Sequence, residues 1–180
     1  MEEDLLCPFH YFGITDLSMI TDEGGSKEEQ LEQFRYLTSD ERVKYVMQQA
    51  SYFGYSGDRV KGLIFCRRIE EARELSVKFN AQGLRTIALS GADSEEARAE
   101  AIERLTKDVQ SSENDYLDYI LTVDIFSEGT DIVEVNQVIM LRPTQSPIVF
   151  IQQLGRGLRK AEGKEYVVQD GDIMHFRFNV

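Results

Sequence analysis

The apolar run Gly62-Leu63-Ile64-Phe65-Cys66 decides the fold of this chain. A short apolar run without alternation is typical of a strand that is buried on both faces of a sheet. After this run, apolar residues recur at helical spacing, at Ile69, Ala72, Leu75 and Phe79. A buried strand followed by an amphipathic helix that ends at Gly83 predicts one strand–helix unit of an α/β protein.

Helices are predicted on both sides of this unit. Ser39 is an N-cap candidate for a helix that runs to about Tyr55. Asp93 is expected to cap a second helix from Ser94 to about residue 109, with Glu96 as its capping-box partner. Pro147, directly after Ser146, is favourable at the first position of a further helix.

The remaining strands alternate with these helices. They are expected at Leu84–Leu89, Leu117–Val123, Val135–Leu141 and Glu165–Val168. Strands separated by helices of this length predict crossover connections and a mainly parallel central sheet flanked by helices. In such sheets ligands bind beyond the carboxyl ends of the strands, so the loops after Cys66, Leu89, Val123 and Leu141 are the candidate site.

Composition limits the function classes. The chain has 180 residues, a net charge of −12 and two cysteines, Cys7 and Cys66, without metal-ligand spacing. No apolar run approaches membrane-spanning length and no secretory signal is visible, so we expect a cytoplasmic protein without a membrane partner. The charge argues against nucleic-acid binding by bulk attraction, but it leaves room for a local basic strip.

The first residues have weak periodicity. Residues 1–38 are therefore expected to form a connecting N-terminal extension, and residues 39–180 the α/β domain. The tail after Val168 has no assigned role.

Two arginines suggest phosphate handling. In Gln152-Gln153-Leu154-Gly155-Arg156-Gly157-Leu158-Arg159, both Arg156 and Arg159 would lie on one side of a helix end, one turn apart. A pair of guanidinium groups is well suited to polyphosphate oxygens. Taken alone, the run fits a solvated basic helix end equally well.

Polar groups also follow the predicted strands. The segment from Thr122 to Asp131 carries two aspartates and Gly129 directly after a strand. Arg67 follows the first sheet strand, and Ser90-Gly91 ends the next, where they could contact phosphates. Taken one at a time, each group is better explained by an ordinary solvated loop, with the two aspartates as N-cap residues.

Together and in order, these stretches resemble the second motor lobe of superfamily-two DEAD/DEAH-type helicases. Residues 62–66 are similar to motif IV, residues 122–131 to motif V, and residues 152–159 match motif VI, Gln-x-x-Gly-Arg-x-x-Arg. The likeness covers about residues 59–168 and looks nearest to bacterial restriction-enzyme-type helicase subunits. It implies a three-layer RecA-like domain of the P-loop NTPase type.

The resemblance implies roles on the nucleotide side. Arg156 and Arg159 would be arginine fingers for an ATP bound on another lobe, and Gln152 would lie near the terminal phosphate or the attacking water. Glu128, Gly129 and Asp131 would contact the nucleotide, chiefly its ribose. ATP and Mg²⁺ would be held mainly by an N-terminal RecA-like lobe, the expected partner.

The resemblance also implies a nucleic-acid side. Arg67, Gly91, Thr122 and Asp124 would lie along the strand. Val123 stands where many DEAD-box RNA helicases carry a threonine, and motif VI begins with Gln152 in place of histidine. These departures lead away from the DEAD-box RNA helicases, and the resemblance to restriction- and repair-type enzymes favours DNA over RNA as the substrate.

A phosphate-binding loop, Gly-x-x-x-x-Gly-Lys-Ser/Thr, does not occur in the chain. The chain alone is therefore not expected to hydrolyse ATP, and it is expected to be half of a two-lobed helicase or translocase. Two alternatives stay open. One is a non-hydrolysing nucleic-acid-binding or assembly module of the same fold, and the other is a flavodoxin-like domain that binds a small molecule.

Overall fold

The computed structural model describes residues 9–15, 27–55, 57–107, 115–123, 135–141 and 172–178. Within these ranges the helices and strands follow one another along the chain as β1 (Phe9–Thr15), α1 (Lys27–Leu37), α2 (Asp40–Phe53), β2 (Gly62–Phe65), α3 (Ile69–Ala81), β3 (Thr86–Leu89), α4 (Glu95–Thr106), β4 (Tyr119–Thr122), β5 (Gln137–Met140) and β6 (Asp172–Phe178).

One sheet contains all of these strands, in the order β1-β6-β5-β2-β4-β3. Strand β2 lies between β4 and β5 and is parallel to both, so that Gly62 pairs with Tyr119 on one side and with Gln137 on the other. Strand β3 is parallel to β4. The four strands predicted from apolar runs at 62–66, 84–89, 117–123 and 135–141 therefore form the parallel part of the sheet, which confirms the fold class.

The opposite edge of the sheet is antiparallel. Strand β6 pairs with β5 from Gln137 opposite Arg177 to Met140 opposite Met174. Strand β1 then pairs with β6, with Phe9 opposite Phe178. The sequence pattern does not predict β1 or α1, because residues 1–38 are assigned to a connection, and it does not predict β6, because the tail after Val168 is assigned no role. The proposed division at residue 38 stays a prediction.

The core is built on both faces of the parallel strands. On one face, buried strand residues pack with buried residues of α2 and α3: Ile64, Leu121 and Ile139 with Val43, Val46, Leu75 and Phe79. The alternate strand residues, which point to the other face, are buried as well: Leu63, Phe65, Ile120, Val138 and Met140. A sheet that is covered on both faces is the arrangement expected for a three-layer α/β domain.

Helix α2 begins as its sequence predicts. The side chain of Ser39 accepts a hydrogen bond from the backbone N–H of Arg42 at 3.2 Å, as an N-cap residue should. The helix ends at Gly54, whose φ of 68° is a conformation that side chains other than glycine rarely adopt.

Helix α4 corrects one prediction. Its N-cap is Ser94 and not Asp93, because the side chain of Ser94 accepts a hydrogen bond from the backbone N–H of Ala97 at 3.2 Å. The carboxylate of Asp93 instead accepts hydrogen bonds from the backbone N–H and the hydroxyl of Ser90, three residues earlier in the chain. Glu96 is thus the second residue of the helix and cannot complete a capping box with Asp93. The helix predicted after Ser146 and the strand predicted at Glu165–Val168 lie outside the described residues.

Candidate nucleic-acid interface at the carboxyl edge of the sheet

The carboxyl ends of β2, β3, β4 and β5 share one edge of the sheet, because these four strands are parallel. The backbone N–H of Cys66 donates to the carbonyl of Thr122 at 2.9 Å, and that of Leu141 donates to the carbonyl of Phe65 at 2.8 Å. The loop after β2 therefore leaves the sheet beside Thr122. The turn after β3 lies one strand farther along the same edge.

The loop after β2 carries two consecutive arginines. Arg67 is half-buried and Arg68 is exposed, and Arg68 is also the N-cap of α3 with an extended backbone and no side-chain cap. Within the described part of the chain, neither guanidinium group takes part in a hydrogen bond or ion pair with another side chain. Both groups are therefore placed where they could bind an anion such as a backbone phosphate.

The buried carboxylate of Glu71 accepts a hydrogen bond from the backbone of this loop. Glu71, the third residue of α3, is 2% exposed, and its Oε2 accepts a hydrogen bond from the backbone N–H of Arg67 at 3.1 Å. Burial raises the pKa of the Glu71 carboxyl above its ordinary value of 4.5. Hydrogen bonds from the backbone of Arg67 and Arg68, together with the charge of Arg42, act against that rise in pKa.

The turn after β3 is built around Asp93. Its Oδ2 accepts from the backbone N–H of Ser90 at 2.6 Å and from the hydroxyl of Ser90 at 2.8 Å. These donors hold the pKa of the Asp93 carboxyl below its usual value of 3.8, and the charges of Arg73 and Arg98 lower it further. The Nε of Arg98 also donates to the carbonyl of Asp93 at 3.1 Å, which connects the turn to α4.

Gly91 lies at the exposed tip of this turn. Its φ is outside the left-handed region, and a Cβ built on it meets no atom within 4 Å. The fold itself therefore does not require glycine at this position. A glycine without a structural reason is compatible with the close approach of a ligand to the backbone.

Thr122 is the last residue of β4 and is fully buried. Its hydroxyl has no hydrogen-bond partner among the described residues. The structure thus brings three of the predicted nucleic-acid residues, Arg67, Gly91 and Thr122, to the ends of three strands on one edge. Only Arg67 and Gly91 present accessible groups there, and the proposed contact of Thr122 stays a prediction.

The remaining predicted site residues lie outside the described residues: Asp124, Glu128, Gly129, Asp131, Gln152, Arg156 and Arg159. Their roles stay predictions. In the ranges that the structure covers, no group of histidine, cysteine or carboxylate side chains could hold a metal ion. No helix in the same ranges is both long and apolar enough to span a bilayer.

Sequence reasoning missed Glu71. The signal was present, since Glu71 follows the N-cap Arg68 by three residues, which is the spacing at which an acidic side chain reaches back to the N-cap backbone. The pattern is weak because Arg68 is not one of the side chains that usually cap helices. The burial of the Glu71 carboxylate is visible only in the folded chain.

Known proteins share both the sequence and the fold of this region. Residues 41–161 match the family model described as the helicase conserved C-terminal domain. A relative from the fungus Phaeosphaeria nodorum, named ATP-dependent RNA helicase DRS1, is 30% identical over 123 residues, which are 67% of this chain. The chain spans only 14% of that relative's length.

Solved structures show the same fold at low identity. The crystal structure of T4 UvsW has a TM-score of 0.52 at 17% identity, over 79% of this chain and 26% of that one. The E. coli DEAD-box protein SrmB, solved bound to the regulator of ribonuclease activity A, has a TM-score of 0.50 at 20% identity, over 67% of this chain and 68% of that one. Because the family model covers most of the sequence, the chain belongs to the helicase conserved C-terminal domain family.

Proposed function

We propose that this chain is the C-terminal motor lobe of an ATP-dependent nucleic-acid helicase or translocase. The family match over residues 41–161 carries the proposal, since it includes both the four parallel strands β2 to β5 and the segments that hold the predicted nucleotide residues. Because the chain spans a small share of its relatives, the activity of the whole protein is part of the proposal. That the chain belongs to the restriction-enzyme-type subgroup of these helicases is also part of the proposal.

On the nucleotide side, Arg156 and Arg159 would reach across a cleft to the phosphates of ATP, and Gln152 would lie near the terminal phosphate. Glu128, Gly129 and Asp131 would contact the ribose. Mg²⁺ and most of the nucleotide would be held by an N-terminal RecA-like lobe, because this chain has no phosphate-binding loop. The arginines would then complete the site only when the two lobes close.

On the nucleic-acid side, the strand would run along the carboxyl edge of the sheet. The half-buried Arg67, the exposed Arg68 and the exposed Gly91 support this path, and Thr122 and Asp124 would lie beside it. The sequence favours DNA, but the relative DRS1 is named an RNA helicase, so the proposal is for a single strand of either kind. The place of action would be the cytoplasm, a reducing compartment that suits the buried Cys66.

The test is ATP turnover by the two-lobed protein with single-stranded DNA or RNA present. Replacing Arg156 or Arg159 by alanine should lower kcat by about a thousandfold, because an arginine finger stabilises charge that develops in phosphoryl transfer. Arg35→Ala is the matched control, since Arg35 is an exposed arginine of helix α1.

Unchanged turnover in both finger variants would contradict the nucleotide assignment. Strand binding without any ATP turnover by the two-lobed protein would indicate the alternative, a non-hydrolysing nucleic-acid-binding module. Comparing the turnover stimulated by oligo(dT) with that stimulated by oligo(U) decides between DNA and RNA.

A further inference from the structure

The carboxylate of Glu71 is buried, and burying a charged group costs free energy because the charge loses its hydration. It is 2% exposed, and its Oε1 has no hydrogen-bond partner within the described residues. An apolar side chain of similar size would fill the same space without the cost of desolvating a charge. The residue is therefore not explained by packing alone.

What Glu71 does contact is the backbone of the loop after β2. Its Oε2 accepts the N–H of Arg67 at 3.1 Å. That N–H lies outside α3, and a loop amide next to a buried strand end needs an acceptor. The carboxylate thereby connects the first turn of α3 to the loop that follows the carboxyl end of β2 and carries Arg67 and Arg68.

The positive charge of Arg42 also acts on Glu71. Arg42 is a buried residue of α2, 4% exposed, and it favours the ionised form of the Glu71 carboxyl, although burial has the larger effect on the pKa. Helices α2 and α3 pack against each other in the same core. The group that holds the loop after β2 therefore lies close enough to α2 for the charge of Arg42 to favour its ionised form.

We propose that Glu71 is a positioning residue for nucleic-acid binding: it fixes the loop after β2 so that the guanidinium group of Arg67 faces a phosphate of the strand. This inference rests on the proposed function. Glu71 itself does not touch the strand, and it acts through the geometry of Arg67.

Whether removing the Glu71 carboxylate weakens or strengthens strand binding separates a positioning role from simple electrostatic repulsion. A carboxylate near a phosphate repels it, so removing the charge should strengthen binding of an anion. Positioning predicts the reverse, a weaker complex. Glu70 provides the matched control, because it is the preceding residue of the same helix, carries the same charge and is exposed.

The experiment measures binding of the full chain to fluorescein-labelled oligo(dT) and oligo(U) by anisotropy over a range of salt concentrations. Arg67→Ala and Glu71→Leu should each weaken binding on the order of tenfold, the size typical of a lost charge-assisted hydrogen bond. In both variants the fall of log K with log salt should also become less steep, by about 0.7 in slope, which is the value of one phosphate contact on a single strand. Glu70→Leu should bind as tightly as the original chain or tighter.

Two further variants complete the test. Glu71→Gln keeps an oxygen acceptor for the Arg67 N–H, so it should restore most of the affinity. The double variant Glu71→Leu/Arg67→Ala should bind no more weakly than Arg67→Ala alone, because both changes remove the same contact. Amide hydrogen exchange at Arg67 should be slow in the original chain and in Glu71→Gln, and fast in Glu71→Leu.

Three results would overturn the inference about Glu71 while leaving the role of Arg67 intact: additive losses in the double variant, an unchanged salt slope in Glu71→Leu, or Glu71→Gln binding as weakly as Glu71→Leu. If Arg67→Ala binds normally, the nucleic-acid assignment of Arg67 fails together with the role of Glu71. Should Glu71→Leu fail to fold, the affinity and the exchange rate of Glu71→Gln still decide the outcome.

Discussion

Gly62 and Tyr119 lie opposite each other on the parallel strands β2 and β4, and the ring of Tyr119 occupies the space that a Cβ at Gly62 would need. The hydroxyl of Tyr119 in turn donates to Oε1 of Gln137 on β5, on the far side of β2. The amide of Gln137 then donates to the carbonyls of Ala50 at 3.0 Å and Gly54 at 2.8 Å, at the end of α2. Glycine at position 62 therefore leaves room for the ring of Tyr119 to pass over β2. The hydrogen bonds of Tyr119 and Gln137 then connect β4, β5 and the end of α2.

Replacing Gly62 by alanine should destabilise the fold by roughly 1–3 kcal/mol, the usual cost of forcing an extra methyl into a packed core. Urea unfolding, followed by circular dichroism, measures the change in the free energy of unfolding. Gly91→Ala is the control, because its Cβ would meet open space. Equal stability of both variants would contradict the packing seen at Gly62.

Gly91→Ala has a functional prediction of its own. Since the substitution should leave the fold unchanged, any loss of affinity for oligo(dT) or oligo(U) would report an approach of the strand to the backbone at this turn. We expect weaker binding, measured by fluorescence anisotropy together with the unfolding midpoint. Normal affinity would remove Gly91 from the nucleic-acid path.

Arg59 should be important for stability. Its buried guanidinium group donates to the carbonyls of Val60, Leu105, Lys107 and Leu117, and so satisfies the C-terminal end of α4 and the start of β4. Arg59→Met would leave these carbonyls without donors, and we expect a loss of about 3 kcal/mol in the free energy of unfolding. Arg35→Met, at an exposed position of α1, should change stability little. A small effect at Arg59 would show that water replaces its hydrogen bonds.

Asp93 should make stability depend on acid pH. Because the folded state lowers the pKa of this carboxyl below 3.8, its contribution is present at pH values above 3.8 and disappears as the pH falls through the lowered pKa. Asp93→Ala should therefore be less stable than the original chain near neutral pH, and the difference should shrink in acid. Ser90→Ala should keep part of this dependence, since the backbone donor of Ser90 remains. A difference that does not change with pH would contradict the assignment.

Glu71 should make stability depend on pH in the opposite direction from Asp93. The folded state raises its pKa above 4.5, so its ionisation costs stability as the pH rises from 4.5 through the raised value. The original chain should thus lose stability relative to Glu71→Gln over this pH window. Unfolding curves of both proteins, measured at a series of pH values, test the prediction. A difference that grows in favour of the original chain would mean that Arg42 outweighs burial.

Local pattern was sufficient for much of the structure. The apolar run at 62–66 and the helical spacing from Ile69 to Phe79 predicted β2 and α3, because both signals depend on residues close in sequence. The cap at Ser39 was predicted for the same reason. The cap of α4 was misplaced by one residue, because Asp93 and Ser94 are both good capping residues and the choice depends on the amide of Ser90.

Alone, the sequence determined the four parallel strands of the sheet, the order of the helicase motifs and the family they indicate. Only the tertiary structure decided that β1 and β6, from the two ends of the chain, pair on the antiparallel edge, since such pairing depends on contacts between residues far apart in sequence. The fold also decided that Glu71 is buried beneath the loop that carries Arg67. Whether a charged side chain faces water or the core depends on what packs over it, and no short stretch of sequence contains that information.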